Sequence, residues 1–314
     1  MPEVYFFNNP NTMNKVFTFI AAIGIAISTM ASELTVVSYN LRNENDWDAA
    51  AGNGWKQRCK YATDQLLFIS PDLFGTQELK VGQVKDILEL MPQYSYIGVA
   101  REDGKEDGEY SAIFYNRERV NLINSGNFWI SETPDRPSKG WDGACTRICT
   151  WGHFATTEGK QFFYFNMHMD HIGIVARREG SKLIVNKIKE IAGEGATVLL
   201  SGDFNVDQTN EIYDIFSTSG LLADTYESAK YRFAPNGTFN SFDPAHITES
   251  RIDHIFVSPT VEVDRYGILT DMYWEFDADE EQHQGNDAPL EIRLSKRQLR
   301  TISDHYPVVV YLEL

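Results

Sequence analysis

Apolar and polar positions alternate through ELTVVSYNLR (33–42), a β-branched run that predicts a strand ending at Asn40. The same pattern predicts strands in DLFGTQE (72–78), YSYIGVA, YSAIFYN (110–116), NFWISE (127–132), RICTWGHFAT, QFFYFNMH, ATVLLSGDFN, RIDHIFVS, VEVDRYGIL and YPVVVYLEL. A helical period runs instead through GWKQRCKYATDQLLFIS (54–70), VGQVKDILELM (81–91) and residues 174–192. The first of these stops before Pro71 and the second before Pro92. TNEIYDIFSTSG predicts a short helix capped by Thr209 and closed by Gly220. REDGKEDGE and DRPSKGWDGAC (135–145) read as polar loops, and TEGK as the turn of a hairpin.

Helices punctuate these strands without strict alternation, and hairpins mix with strand–helix–strand units. That order predicts two antiparallel or mixed β-sheets packed face to face with helices outside. No linker interrupts residues 32–314, so they read as one catalytic domain. Ahead of them Lys15 precedes VFTFIAAIGIAIST, an apolar run of signal-peptide length, and Thr29 and Ala31 suit a cut after Ala31. Residues 1–31 are therefore expected to be an N-terminal extension and signal peptide, with Met13 a possible start. The remaining chain is expected to be exported, to periplasm, cell surface or medium. The run is short for a membrane span; a buried N-terminal helix is the alternative.

Composition narrows the partners. The 314 residues carry a formal net charge of -17, which argues against a broad basic face and a stable nucleic-acid complex. It still permits phosphate substrates, because a bound metal supplies positive charge locally. Cys59, Cys145 and Cys149 are odd in number, so a disulfide framework is not expected. A Cys145–Cys149 bridge stays open, and Cys149, beside Trp151, reads as a buried thiol. No Cys/His cluster stands at zinc-ligand spacing. A monomer is expected.

The polar ends of the strands carry the chemistry. The first strand ends in Asn40 and the second in Glu78; FFYFNMHMDH places His168 and Asp170 just past an aromatic run. VLLSGDFN ends in Asp203 and Asn205, RIDHIFVS opens with Asp253 and His254, and TISDHYPVVV opens with Asp304 and His305. Alone, each is an ordinary turn, cap or surface pair. Together they suit phosphoryl transfer. Mg²⁺ takes oxygen ligands such as Glu78, Asp304 and Asn40. Asp203 or His305 can activate a water, and Asn205 can hold a phosphate oxygen without adding charge.

SYNLR, GTQE, NMHMDH, GDFN, SRIDHIF and SDHYPVV, in this order, resemble the endonuclease/exonuclease/phosphatase superfamily over about Thr35–Leu312. The resemblance implies the deoxyribonuclease-like α/β fold, a four-layer α/β/β/α sandwich, and Mg²⁺- or Mn²⁺-dependent phosphoester hydrolysis. It implies that Asn40 and Glu78 bind the metal with help from Asp304. It implies further that Asp203 orients or deprotonates the attacking water and that Asn205 holds the phosphate. Asp253 is then the partner of His305, and His168 contacts the phosphate or leaving group. Glu109 fits the carboxylate partner of His168. Arg42 departs from the acid that many DNA-repair members carry two positions after the first Asn.

In SKGWDGACTRICTW, Arg147 offers a fork for phosphate and Trp141 a stacking face, or else a loop anchor. Arg58 reads as solvated, with Trp55 and Arg58 able to border the cleft. His171 reads as supporting the site or as plainly structural; His153, His246 and His283 join no constellation. The residues thus point to an exported metal-dependent phosphodiesterase or phosphatase acting on a nucleic acid fragment, lipid head group or sugar phosphate. A non-catalytic binding module on the same fold is the alternative, and a two-carboxylate glycosidase leaves the Asn and His residues unexplained.

Overall fold

Neighbouring residues of one strand belong to different cores, as a period of two requires. Leu34 and Val36 join one apolar cluster, whereas Val37 and Tyr39 join another. The structure is a computed structural model and describes residues 33–275, 285, 287–295 and 297–314. The expected signal peptide and His283 lie outside these.

In chain order the described elements begin with β1 (Glu33–Asn40), α1 (Asp46–Ala50), α2 (Trp55–Ile69), β2 (Leu73–Gln77), α3 (Val81–Leu90), β3 (Tyr94–Ile97) and β4 (Ile113–Asn116). Then come β5 (Val120–Trp129), β6 (Ile148–Thr156), β7 (Gln161–His168), α4 (Ile174–Ala192), β8 (Val198–Asp203), α5 (Glu211–Ser217), β9 (Ala223–Asp224) and α6 (Thr225–Ser228). The chain closes with β10 (Tyr231–Phe233), β11 (Asp253–Val257), β12 (Glu262–Ile268), β13 (Met272–Trp274), β14 (Leu299–Thr301) and β15 (Val308–Glu313).

A seven-stranded sheet has the order β10-β12-β15-β1-β2-β4-β3, and a six-stranded sheet the order β5-β6-β7-β8-β11-β9. Both are mixed: β1 and β2 pair in parallel, as do β7 and β8, while β15 and β11 run antiparallel to their neighbours. One core lies between the sheets, with Val36, Leu73 and Val310 from the first and Phe162, Leu199 and Ile255 from the second. The outer face of the first sheet is covered through Val84, Ile87 and Leu66 of α3 and α2. The outer face of the second is covered through Ile184, Ile188 and Phe216 of α4 and α5. The result is the expected α/β/β/α sandwich.

A polar bolt crosses the central core just below the site. Asn166 Oδ1 accepts from Gln77 Nε2 (2.7 Å) and Ser201 Oγ (3.0 Å), and its Nδ2 donates to Thr76 O (2.9 Å). The bolt ties the two sheets together through Gln77 Nε2 and both ends of the Asn166 amide, while Gln77 Oε1 is buried without a partner. It also explains Gly75: a Cβ there would meet Asn166 Oδ1 at 2.5 Å and Ser201 Oγ at 2.7 Å. Gly202 has φ +155, and a Cβ would meet Met167 O at 2.1 Å, so only glycine lets β7 and β8 close up before Asp203.

Several expectations change. Strand β5 begins at Val120, not Asn127, because an exposed edge strand with a bulge between Leu122 and Asn124 shows no apolar alternation. Helix α5 is capped by Asn210, whose Oδ1 accepts from Ile212 N (3.0 Å), not by Thr209. Arg58 is buried, donating from Nη1 to Leu41 O (3.1 Å) and Ile302 O (2.9 Å) and from Nε to Asn53 O (2.6 Å). These carbonyls face inward, so the arginine ties loops rather than meeting water. Trp55 is buried as well, its Nε1 donating to Asp86 Oδ2 (2.8 Å). All three cysteines are free, Cys149 buried, so Cys145 and Cys149 do not pair. Among the described residues no helix is long and apolar enough to cross a membrane.

Candidate active site

Sheet topology delivers the polar strand ends to one edge of the sandwich. The parallel strands β1 and β2 end there with Asn40 and Glu78, and antiparallel β15 follows Asp304 and His305 there. In the other sheet β7 and β8 end together with His168 and Asp203 paired in register, and β11 starts opposite with Asp253 paired to Asp203. Strands β6 and β4, antiparallel to β7 and β2, start at the same edge, which brings in Arg147 and Glu109.

The two halves touch through Asn40 and through the His305–Asp253 pair. Asn40 Nδ2 donates to Glu78 Oε1 and to Asp203 Oδ2, both at 3.0 Å, and lies 3.5 Å from His305 Nε2. Asn40 Oδ1 accepts from Arg42 N (3.0 Å). Glu78 sits at φ +69, a left-handed turn that carries its carboxylate back over the sheet edge. Asn205, at φ +50, makes a comparable turn, and its amide N–H bonds Asp203 Oδ1 (2.9 Å). Its Nδ2 donates to Met169 O (2.9 Å), which fixes the amide, so the same Nδ2 donates to His168 Nε2 (3.1 Å). The His168 proton is then on Nδ1, which is buried without a partner. His305 Nδ1 lies 2.8 Å from Asp253 Oδ2, the pairing expected, and its ring meets Phe239 edge-on at 5.0 Å.

The two imidazoles are driven in opposite directions. Burial, with the charges of Arg147 and Arg101 nearby, holds His168 well below its ordinary value. Burial also opposes charging of His305, but the Asp253 charge and hydrogen bond, with Asp203 and Asp304, hold it well above. Burial and then the Asp253 charge push the Asp203 carboxyl up to about 7. Burial and the Glu78 charge raise Asp304. Burial acts against ionised Glu78 too, but the Asn40 hydrogen bond and the His305 and Arg42 charges outweigh it and keep it low.

Glu78, His168, Asp203, Asn205, Asp304 and His305 line a cavity of about 430 Å³, with Asn40 and Asp253 buried behind them. The ligand atoms of Glu78, His168 and Asp203 all lie within 4.8 Å of one another, as do those of Asp203, Asp253 and His305. Asp304 belongs to neither group; its Oδ2 is 3.6 Å from Arg42 Nη1, which is 3.9 Å from Glu78 Oε2. Clustered hard oxygen donors of this kind fit a divalent cation. Asn40 shows the acids its N–H₂, so its oxygen can ligate only if the amide turns over.

Arg147, at the mouth of β6, lines the cavity and holds His171 Nδ1 at 2.9 Å. Asp170 lies 3.6 Å from Arg147 Nε and takes four backbone N–H groups, from Ala144, Cys145, Ile172 and Gly173. Cys145, Asp170 and His171 also gather within 4.8 Å, a Cys/His cluster that spacing along the chain did not reveal, though the Asp170 oxygens are already engaged by those amides. Trp141 lies apart from the cavity lining, against the α4 core. His254 is buried, with Nε2 3.1 Å from Val206 O; His153 stacks on Phe163; and His246 Nδ1 lies 3.1 Å from Asn240 O. Glu109 does not reach His168 as a partner: its Oε2 takes Arg101 Nη1 at 2.5 Å. Sequence reasoning missed Asn43, Arg101 and Phe239 in the lining, and only the position of Asn43 just past Asn40 gave any signal.

Residues 37–305 match the Endonuclease/Exonuclease/phosphatase family. The chain belongs to that family. It is 49% identical to an endonuclease/exonuclease/phosphatase family protein from Bacteroides thetaiotaomicron, over 90% of this chain and 98% of that one, with TM-score 0.83. It is likewise 49% identical to a mannosyl-6-phosphatase of the same organism, over 90% of this chain and 100% of that one, with TM-score 0.82. A Bacteroides vulgatus family member is 32% identical over 90% and 99% of the two chains, TM-score 0.76. Family membership and the clustered Asp, Glu and His side chains together support a metal-dependent hydrolase of the endonuclease/exonuclease/phosphatase type, working by metal-assisted phosphoester chemistry.

Proposed function

We propose that this family member is a Mg²⁺- or Mn²⁺-dependent phosphatase that acts on a small phosphoester with a sugar-like alcohol. The observation that carries the reading is the convergence of Glu78, His168, Asp203, Asn205, Asp304 and His305 on one cavity. The 49% identity to a mannosyl-6-phosphatase supports a sugar phosphate over a lipid head group or nucleic acid fragment. The net charge of -17 favours a small substrate too.

Glu78 and Asp304, with Asn40 once its amide turns, would hold the cation, which would supply positive charge to the phosphoryl oxygens and the departing oxygen. Asp203, whose carboxyl titrates near 7, takes the proton of the attacking water. Asn205, once its Nδ2 turns from His168 Nε2, offers an uncharged N–H to a non-bridging oxygen, and the neutral His168, its proton on the buried Nδ1, positions that amide. Arg147 adds a fixed positive charge at the rim. His305, kept protonated by Asp253, faces Asp203 and Asn40 through Nε2 and offsets the charge that builds up.

The test is the purified 32–314 chain with Mg²⁺ or Mn²⁺ against hexose phosphates, nitrophenyl phosphate, inositol phosphates, sphingomyelin, DNA and RNA. Release of phosphate from monoesters, silenced by EDTA and restored by the metal, is the expected result. Undiminished turnover in EDTA defeats the metal reading, and hydrolysis of diesters alone defeats the phosphatase reading.

A further inference from the structure

Glu109 and Arg101 form an ion pair in the cavity wall that the chemistry above leaves unused. The pair is largely dry, with side chains 18% and 12% exposed. Burying two charges is offset only by good geometry, so a pair in a catalytic cavity wants a reason. Both groups are held firmly. Arg101 N donates to Glu109 O (3.0 Å), and Trp129 Nε1 donates to Arg101 O (2.7 Å).

A continuous polar strip leads to them from the proposed base. Asp203 and Glu78 share Asn40 Nδ2. Glu78 Oε2 then accepts from Asn43 Nδ2 (2.9 Å), which lies 3.5 Å from Glu109 Oε1, and Glu109 Oε2 takes Arg101. Water entering from the Asp203 side expels the alcohol oxygen in line, away from Asp203. Along this chain of contacts Asn43, Glu109 and Arg101 lie beyond Glu78 from Asp203 and line the same cavity, which leaves them for the body of the alcohol.

We propose that Asn43, Glu109 and Arg101 form the subsite for hydroxyl groups of the leaving alcohol. A carboxylate flanked by an amide and a guanidinium offers an acceptor between donors. Neighbouring hydroxyls, each donor and acceptor, match that pattern; an aryl or acyl chain does not. The inference rests on the proposed phosphatase activity and specifies its substrate as a polyol monoester.

The experiment compares wild type, Glu109→Gln and Arg101→Met with three Mg²⁺-supported substrates: a hexose 6-phosphate, its deoxy analogues, and 4-nitrophenyl phosphate. Thermal melts confirm that each variant is folded, and the second variant serves if the first is not. The kcat/KM for the hexose phosphate is expected to fall about 10- to 100-fold more than that for nitrophenyl phosphate. One deoxy analogue loses the same factor in wild type and nothing further in the variants. Equal losses on both substrates, or none on either, overturn the subsite and leave the phosphatase reading intact. A wild type inactive on every monoester overturns the phosphatase reading itself and the subsite with it.

Discussion

Asp170→Asn isolates one side chain that carries both loop order and cavity shape. The carboxylate accepts from Ala144 N (2.9 Å), Cys145 N (3.0 Å), Ile172 N (2.9 Å) and Gly173 N (2.7 Å). It thereby pins the loop before β6 to the turn before α4, beside the 5%-exposed Arg147. Asparagine keeps the shape but aims an N–H₂ at two of those amides. Two backbone donors lose their acceptor at about 1–2 kcal/mol each, and the remaining bonds lose their charge. A loss of about 3–5 kcal/mol follows, or a melting temperature lower by about 5–10 °C.

The pH dependence separates this account from a packing defect. Burial acts against the charged form, but the four amides outweigh it and hold the Asp170 carboxyl well below the usual range. A carboxyl lowered on folding stabilises fully above its unfolded value, near 4, and that share is lost as pH falls through the folded value. The gap between wild type and variant in urea melts is therefore expected to be constant from pH 7 to about 5. It then narrows below about 4. A gap under about 1 kcal/mol at pH 7, or one that does not narrow in acid, refutes the reasoning.

Glu78→Ala is expected to lower kcat at least about 100-fold with little change in melting, because the proposed ligand to the cation is lost and no core is opened; unchanged turnover of nitrophenyl phosphate removes its metal role. His305→Ala and Asp253→Ala are expected to be non-additive by about 1–3 kcal/mol in a double-mutant cycle of kcat/KM, and simple addition breaks the pair. Arg42→Gln removes the guanidinium poised 3.6 Å from Asp304 and 3.9 Å from Glu78, so calorimetry is expected to show Mn²⁺ binding about five-fold more tightly. Equal or weaker binding denies any competition between Arg42 and the cation.

The strand ends were legible because strand periodicity and turn chemistry are local. Asn40, Glu78, His168, Asp203, Asp253 and His305 each follow or precede a run whose direction the sheet then dictates. What stayed hidden depends on contacts between distant loops. Arg58 sits on a polar-looking helix face, and only the carbonyls of Leu41 and Ile302 make it an interior residue. Glu109 lies at the end of a charged loop, where Arg101, eight residues back, outcompetes His168 for it. Edge strand β5 lacks alternation because one of its faces meets water. Thr209 and Asn210 are both capping residues, and sequence alone does not choose between them.

The groups of the candidate site are divided between two halves that never share a strand. Asn40, Glu78, Asp304 and His305 hang from one sheet, and His168, Asp203, Asn205 and Asp253 from the other, with the Asn40–Asp203 and His305–Asp253 contacts bridging the seam. A chain in which each sheet had wrapped its own helices but not yet met its twin would possess finished outer layers and no assembled site. Turnover would thus report whether the two sheets have docked, the contact that the Asn166 bolt spans.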